Sequence, residues 1–171
     1  LARNAYIFSH LLDTANFSPE LRLPLQLLYD SSSRQSGLFG FGWHCPQLES
    51  SAHYDKDGVL WTTPRGEKIK FYPKHAKPPK DAIKIRIIED ARKGRGFYCP
   101  YSDWEADTLE RDYKRSASWI FKGKGDMRGW KFIYRNFKLS VIIAPSGRQL
   151  EYVYKDRWPL YVMQDGRKFI E

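Results

Sequence analysis

Side chains suited to acid–base, nucleophilic or metal chemistry are thinly spread along this chain. The histidines are His10, His44, His53 and His75, and no two of them share a metal-ligand spacing on a predicted helix. His44 and Cys45 are neighbours on a predicted strand, so their side chains should point to opposite faces, which disfavours a Cys–His nucleophilic pair. The sequence therefore predicts no catalytic residue, no metal site and no cofactor, and hence no enzyme.

Two short motifs resemble ligand sites without completing them. Asp55 and Asp57, next to Gly58, resemble the start of a calcium loop, but the later ligands and the terminal Glu are missing. A turn stabilised by Asp side chains is the simpler expectation. The segment Gly37-Leu38-Phe39-Gly40-Phe41-Gly42-Trp43 differs from the dinucleotide fingerprint in glycine order and has bulky side chains in the gaps. It predicts a buried, kinked segment in which Gly37, Gly40, Gly42 and Trp43 are structural.

Two cysteines, Cys45 and Cys99, are too few for a disulfide framework or a four-ligand zinc site. A single bridge between them remains open. Two reduced, buried thiols are the simpler expectation, because free cysteine is among the most buried residue types.

The composition favours β structure. Aromatic residues make up 16% of the 171 residues, and large rings suit half-buried pleated surfaces. The longest aliphatic run, Val141–Ala144, is far short of the roughly 20 residues of a membrane helix, so no membrane span is expected.

Period-two alternation of apolar and polar residues predicts most of the elements. Strands are predicted over 21–29, 59–63, 67–72, 82–89, 118–122, 129–135 and 139–144. One short helix is predicted over 104–115, from the spacing of Trp104, Leu109 and Tyr113. The expected fold is all-β, with antiparallel hairpins in a meander that forms a twisted sheet or an open, barrel-like wall.

An internal repeat is the most informative feature. Three segments align around a central glycine: 63–71 around Gly66, 144–152 around Gly147, and 163–171 around Gly166. Each glycine follows a tyrosine by 12 or 13 residues, namely Tyr54, Tyr134 and Tyr154. Each unit predicts one strand–turn–strand hairpin, which needs neighbours to bury its apolar face.

These motifs resemble those of the Rhs family, whose members carry YD repeats. The tyrosine-to-glycine units resemble the repeats themselves. Leu23-Pro24-Leu25, Tyr29-Asp30-Ser31 and the glycine–tryptophan segment 37–43 resemble the lead-in that precedes them. The resemblance divides the chain into a lead-in (1–53), a YD-like hairpin (54–72), a basic insertion or degenerate repeats (73–133) and two YD-like repeats, the last truncated (134–171).

The resemblance implies a structural role. Rhs proteins build a long β-sheet that spirals into a shell around a C-terminal toxin or other cargo. This chain would then be a non-catalytic part of that shell or its plug. Its partners would be further repeats of the parent polypeptide and the enclosed cargo, in a bacterial protein that is exported or displayed at the cell surface.

Two alternatives from other functional classes remain open. Residues 61–100 hold 11 basic and 4 acidic side chains. A positive aromatic surface for nucleic acid could form there, from Lys68, Lys70, Tyr72, Lys84 and Arg86. No recognised nucleic-acid motif accompanies it. A carbohydrate-binding surface could instead use exposed tryptophans, with Trp61, Trp104, Trp119, Trp130 and Trp158 as candidates.

The last repeat has a strand-like pattern up to Glu171 without a closing turn. An unpaired strand at that position would offer its main-chain donors and acceptors to another copy of the chain. We therefore expect self-association through residues 154–171.

Overall fold

The computed structural model describes residues 7–13, 19–21, 25–55, 58–73, 97–98, 102–108, 117–156 and 158–170. This part of the chain forms sixteen strands and two short 3-10 turns, Pro19–Leu21 and Gly125–Met127, with no α-helix. All strand pairings in it are antiparallel. The predicted all-β, antiparallel fold is confirmed.

A small sheet opens the fold. The first strands are β1 (Ile7–Asp13), β2 (Leu25–Asp30), β3 (Ser36–Gly37), β4 (Gly40–Phe41) and β5 (Trp43–His44). Strands β1, β2 and β5 form a three-stranded sheet in that order, while β3 and β4 pair only with each other. The glycine–tryptophan segment thus forms a short hairpin that returns the chain to β2.

Eight strands then form an almost closed barrel. They are β6 (Ser51–Asp55), β7 (Gly58–Thr62), β8 (Lys68–Pro73), β9 (Phe97–Tyr98), β10 (Trp104–Thr108), β11 (Trp119–Gly123), β12 (Lys131–Arg135) and β13 (Lys138–Ile143). Each strand pairs with the next one along the chain. The ring closes where Lys138 of β13 pairs with Ser51 of β6, beside a 3.1 Å hydrogen bond from the Ala52 amide to the Phe137 carbonyl. This closure is short, and therefore the barrel is only nearly complete.

Three further strands extend the sheet beyond the barrel: β14 (Gln149–Lys155), β15 (Trp158–Gln164) and β16 (Arg167–Ile170). One edge of β13 pairs with β12. The other edge pairs with β6 at Lys138 and with β14 over Val141–Ile143. The sheet therefore forks at β13, with one branch closing the barrel and the other continuing outward to β16.

The core lies inside the barrel and is dominated by aromatic rings. Its largest fully buried side chains are those of Trp61, Trp119, Tyr134, Phe71 and Phe121. The rings of Trp61 and Phe121 are stacked, with centroids 4.2 Å apart and planes 10° from parallel. Burial of one such side chain contributes about 1.5–3 kcal/mol, so this cluster supplies a large share of the hydrophobic stabilisation.

The helix predicted over 104–115 is wrong at its start, since Trp104–Thr108 is the strand β10. Trp104 and Ala106 are buried, while the intervening Glu105 is partly exposed, which is the period of a strand. Pairing with β11 along all five residues supplies tertiary contacts that override the helical pattern. Residues 109–115 lie outside the described residues.

Six of the seven predicted strands fall wholly or mostly on described residues, and strands are found there. Those over 21–29, 59–63, 67–72, 118–122, 129–135 and 139–144 correspond to β2, β7, β8, β11, β12 and β13, with ends that differ by a few residues. The strand predicted over 82–89 lies outside the described residues.

Candidate functional site

Gly42 is one of two crowded glycines in the glycine–tryptophan segment; the other is Gly37, where a Cβ would overlap the Trp43 carbonyl oxygen. The φ of Gly42 is +74°, and a Cβ there would lie 2.8 Å from the Asp30 carbonyl oxygen and 2.9 Å from the Tyr29 ring. The next residue, Trp43, packs against Tyr29 with ring centroids 4.8 Å apart. Gly42 therefore allows β2 and β5 to approach closely.

The same segment is less buried than its composition predicts. Phe39 and Phe41 lie at and beside the tip of the β3–β4 hairpin and are 46% and 75% exposed. The positive φ values at Gly40 and Gly42 produce the expected kink, but the kink directs these two rings outward. Only Gly42 within the segment is fully buried.

The first two copies of the repeat form the same turn. The Thr63 amide donates to the Glu67 carbonyl at 2.8 Å, and the Gly66 amide donates to the Thr63 carbonyl at 2.9 Å. The equivalent bonds around Gly147 have the same lengths, and both glycines have a positive φ, +85° and +87°. This is a three-residue hairpin loop closed by a left-handed glycine.

The third copy uses a tighter turn. Gln164 pairs directly with Arg167, which leaves only Asp165 and Gly166 in the loop. Both loop residues have a positive φ, +48° and +80°, as a two-residue type I′ hairpin requires. The sequence alignment of the three copies holds, but the last one closes its hairpin with one residue fewer.

The three repeat tyrosines have different environments. Tyr54 is partly buried against the core. The Tyr134 hydroxyl is fully buried between the Trp61 indole N–H, 2.7 Å away, and the Ser50 Oγ, 2.6 Å away. The Tyr154 hydroxyl is buried without a hydrogen-bond partner. Tyr134 is therefore the repeat tyrosine that joins elements distant in sequence.

Burial also controls the ionisation of this region. Desolvation raises the pKa of Tyr134, Tyr152 and Tyr154 well above the ordinary tyrosine value. It also raises the pKa of the free, buried thiol of Cys45. These groups are neutral in the folded protein, so Cys45 is poorly suited to act as a nucleophile. Cys99 lies outside the described residues.

The predicted basic surface is described only in part. On β8, Phe71 faces the core, whereas Lys68 is exposed and Lys70 and Tyr72 are partly exposed on the other face. Lys84 and Arg86 lie outside the described residues. The three described residues of this surface therefore lie on the outside of the barrel, on the face of β8 opposite to Phe71, as the sequence predicts.

Exposure separates the tryptophans that were candidates for sugar binding. Trp61, Trp104 and Trp119 are buried, and Trp130 is partly buried and stacked on Phe132. Trp158, at the start of β15, is 53% exposed. Of the five candidates, it alone presents most of its ring to the surface.

Trp158 lines a cleft of about 420 Å³ at the fork of the sheet. Most of the lining comes from two segments of the lead-in, residues 35–38 and 48–51, and Lys138 contributes from β13. The volume lies within the roughly 300–1,000 Å³ of small-ligand sites. The cleft is therefore the candidate functional site of the described residues.

A hydrogen-bonded chain of three side chains runs beside this cleft. The His44 Nδ1 lies 3.1 Å from the Glu49 Oε2, and the His44 Nε2 lies 3.2 Å from the Ser33 Oγ. The other Glu49 oxygen accepts the Leu38 amide at 2.9 Å. An Nδ1–H donated to Glu49 would leave Nε2 as the acceptor for the Ser33 hydroxyl.

This order of groups resembles a serine nucleophile with its base and carboxylate, yet the placement differs from that of a catalytic site. His44 and Glu49 line the cleft, whereas Ser33 does not. The Ser33 Oγ also accepts the Gln35 amide at 3.2 Å within its own turn. The chain instead connects the turn after β2 with the segment after β5, and it positions Glu49 at the cleft.

Sequence reasoning missed this arrangement, because it weighed His44 only against its neighbour Cys45. The five-residue spacing of His44 and Glu49 was the available indication, and Ser33 is brought close by the β3–β4 hairpin alone. No group of three or more His, Cys, Asp or Glu side chains within the described residues is placed to hold a metal ion.

In the described residues, no helix is long and apolar enough to cross a membrane.

The comparison with known proteins matches part of the chain. A search of curated proteins found no match. Residues 7–71, which run from β1 into β8 and include the glycine–tryptophan segment, match the family described as a domain of unknown function, DUF6531.

Proposed function

We propose that this chain is a structural segment of a larger protein of the Rhs/YD-repeat type, in which it forms part of a β-shell or its plug around a C-terminal toxin or other cargo. In this role it is non-catalytic, and its partners are the rest of the parent polypeptide and the enclosed cargo. The parent would be a bacterial protein that is exported or displayed at the cell surface.

The fork at β13 is the observation that carries this proposal. The ring β6–β13 nearly closes on itself and buries its own aromatic core, whereas β14, β15 and β16 leave the ring as an open sheet. Within the described residues, β16 pairs only with β15. A ring that buries its own core can be stable by itself, because its strands are paired and its apolar face is covered. The open branch, by contrast, offers an unpaired strand edge to which further hairpins of a β-shell can pair.

The repeat turns support the same role. Two of them have identical hydrogen bonds although 81 positions separate Gly66 from Gly147. One lies in the barrel and the other joins β13 to β14 in the open branch. A unit that folds alike in both settings is suited to repeated addition along a sheet.

Amide hydrogen exchange on the parent polypeptide tests the proposal. We expect the amides of β16 that point away from β15, such as that of Lys168, to exchange quickly in this chain alone and to become protected in the parent, where the next strand would pair with them. The amides of β7, which is paired on both sides in the ring, are the internal control and should be protected in both. Equal, fast exchange of these outward amides of β16 in both proteins would refute the proposed role.

A further inference from the structure

We propose that the cleft at the fork binds a neutral saccharide, with one face of a sugar ring against the indole of Trp158. The inference is independent of the structural role proposed above, because it depends on the lining of the cleft and not on whether a further strand pairs with β16.

The aromatic component is an exposed indole ring on a paired strand. Trp158 is 53% exposed and lies at the start of β15, where it pairs with Lys155 of β14. The C–H-rich face of a pyranose ring is apolar and flat, and it packs well on such a ring. A tryptophan side chain has only two χ angles, so it also loses little side-chain entropy on binding.

The polar component consists of groups that still have hydrogen-bonding capacity. Gln35, Ser36 and Ser51 line the cleft, and their side chains make no hydrogen bond within the described residues. Glu49 accepts one hydrogen bond on each oxygen, from Leu38 and His44, and each oxygen has a second lone pair available. Hydroxyl, amide and carboxylate groups are suited to the alternating donors and acceptors of vicinal sugar hydroxyls.

The charges of the lining favour a neutral ligand. Lys138 and Glu49 are its formally charged side chains, and their charges are opposite. The Lys138 ammonium already donates to the Asp156 carbonyl and lies 5.0 Å from the centre of the Tyr154 ring. A sulfated or phosphorylated ligand would meet both charges, so attraction to Lys138 would be offset by repulsion from Glu49 and the lining would give it no net electrostatic advantage.

The cleft is also held open by structure on both sides. The His44–Glu49 pair and the Leu38 amide fix the lead-in wall, while the β13–β6 and β13–β14 pairings fix the wall at the fork. A preformed site needs little reorganisation on binding, which is an advantage for a weakly held ligand such as a sugar.

Titration of the isotope-labelled chain with three neutral trisaccharides, maltotriose, cellotriose and N-acetylated chitotriose, followed by nuclear magnetic resonance, tests this. We expect at least one trisaccharide to shift the Trp158 indole N–H resonance together with the amides of residues 35–38, in a saturable way. Absence of any such shift with all three at millimolar concentration would overturn the proposal. Tighter binding of heparin than of every trisaccharide would also overturn it, because that would indicate a polyanion site.

Two variants and a matched control make the test specific. Trp158→Ala should weaken binding about tenfold or more, which corresponds to about 1.4 kcal/mol, and Gln35→Ala should weaken it by a smaller factor. Phe41→Ala removes a more exposed ring that does not line the cleft, and its affinity should be unchanged. Unaltered affinity of a folded Trp158→Ala variant, or equal losses in Trp158→Ala and Phe41→Ala, would refute the site.

Discussion

The indole Nε1 of Trp61 donates a hydrogen bond to the hydroxyl of Tyr134 across the inside of the barrel, with 2.7 Å between the two atoms. Trp61 lies on β7 and Tyr134 on β12, 73 positions apart in the chain. Both side chains are fully buried, and the Ser50 Oγ completes the environment of the hydroxyl. The contact thus ties the first hairpin of the barrel to its last strands within an otherwise aromatic core.

Tyr134→Phe should destabilise the protein strongly for a change of one atom. It leaves the Trp61 indole N–H buried without its acceptor, and an unsatisfied buried donor costs roughly 1–3 kcal/mol. Urea denaturation, followed by tryptophan fluorescence, measures the loss in the free energy of unfolding.

Tyr154→Phe is the matched control for that prediction. It removes the same hydroxyl from a repeat tyrosine whose oxygen is buried without a hydrogen-bond partner, so its effect should be near zero or stabilising. Equal losses in the two variants would show that the Trp61–Tyr134 hydrogen bond does not account for the stability.

Gly42→Val should destabilise the fold more than Gly147→Val. Both glycines have a positive φ, and a side chain in the left-handed region costs about 1–2 kcal/mol at either position. Only at Gly42 would the new Cβ also meet the Asp30 carbonyl, at 2.8 Å, whereas nothing lies within 4 Å at Gly147. Thermal melting of the two variants compares them, and an equal loss would contradict the close approach of β2 and β5.

The protein should lose stability in alkali as its buried tyrosines ionise. Tyr134, Tyr152 and Tyr154 have folded-state pKa values raised above the ordinary 10.0, because burial disfavours the phenolate. Above about pH 10 the unfolded chain releases protons that the folded chain retains, so stability falls as the pH rises, while below that pH these groups leave it unchanged.

Tyrosinate absorbance and circular dichroism, recorded together against pH, test this prediction. The ionisation of the three buried tyrosines should coincide with loss of β structure. Ionisation of every tyrosine while the fold remains intact would contradict the assigned burial.

The sequence predicted those parts of the fold that depend on interactions between residues close together in the chain. Hairpins such as the one around Gly66 are encoded locally, by alternation and a turn glycine, and the sequence predicted them. The barrel closure between Ser51 and Lys138 is not encoded locally, because this pairing joins residues 87 positions apart through one short contact. The predicted helix is wrong over 104–108 for a related reason, since pairing with β11 decided the conformation of these residues.

The candidate site was predictable only in its parts. Trp158 was among the candidate sugar-binding tryptophans, but its exposure depends on the fork, which no local pattern indicates. The Ser33–His44–Glu49 chain arises because a two-strand hairpin brings three separate segments together. Both features depend on contacts between separate segments, which local sequence patterns do not indicate.

Self-association through β16 is the remaining prediction. Within the described residues β16 pairs only with β15, and exposed Arg167 and Lys168 are its charges against pairing. The Lys168 ammonium lies 4.7 Å from the centre of the Tyr161 ring, which draws this charge back over its own sheet. A second copy can then pair along this edge, and we expect dimers whose fraction rises with protein concentration in analytical ultracentrifugation.

Lys168→Pro tests which edge is used. Gln164 and Arg167 flank the two-residue turn as a hydrogen-bonded pair, so the alternation of an antiparallel ladder directs the Lys168 amide away from β15. Proline at this position removes a main-chain hydrogen-bond donor from the outer edge of β16. The lost hydrogen bond and the clash of the proline ring together exceed about 1.4 kcal/mol, so the affinity of the dimer should fall about tenfold or more. Lys168→Ala, which retains the amide, is the control and should dimerise at least as well as the unmodified chain. A strictly monomeric protein at hundreds of micromolar, or a Lys168→Pro variant that dimerises like Lys168→Ala, would show that β16 is not the edge that pairs.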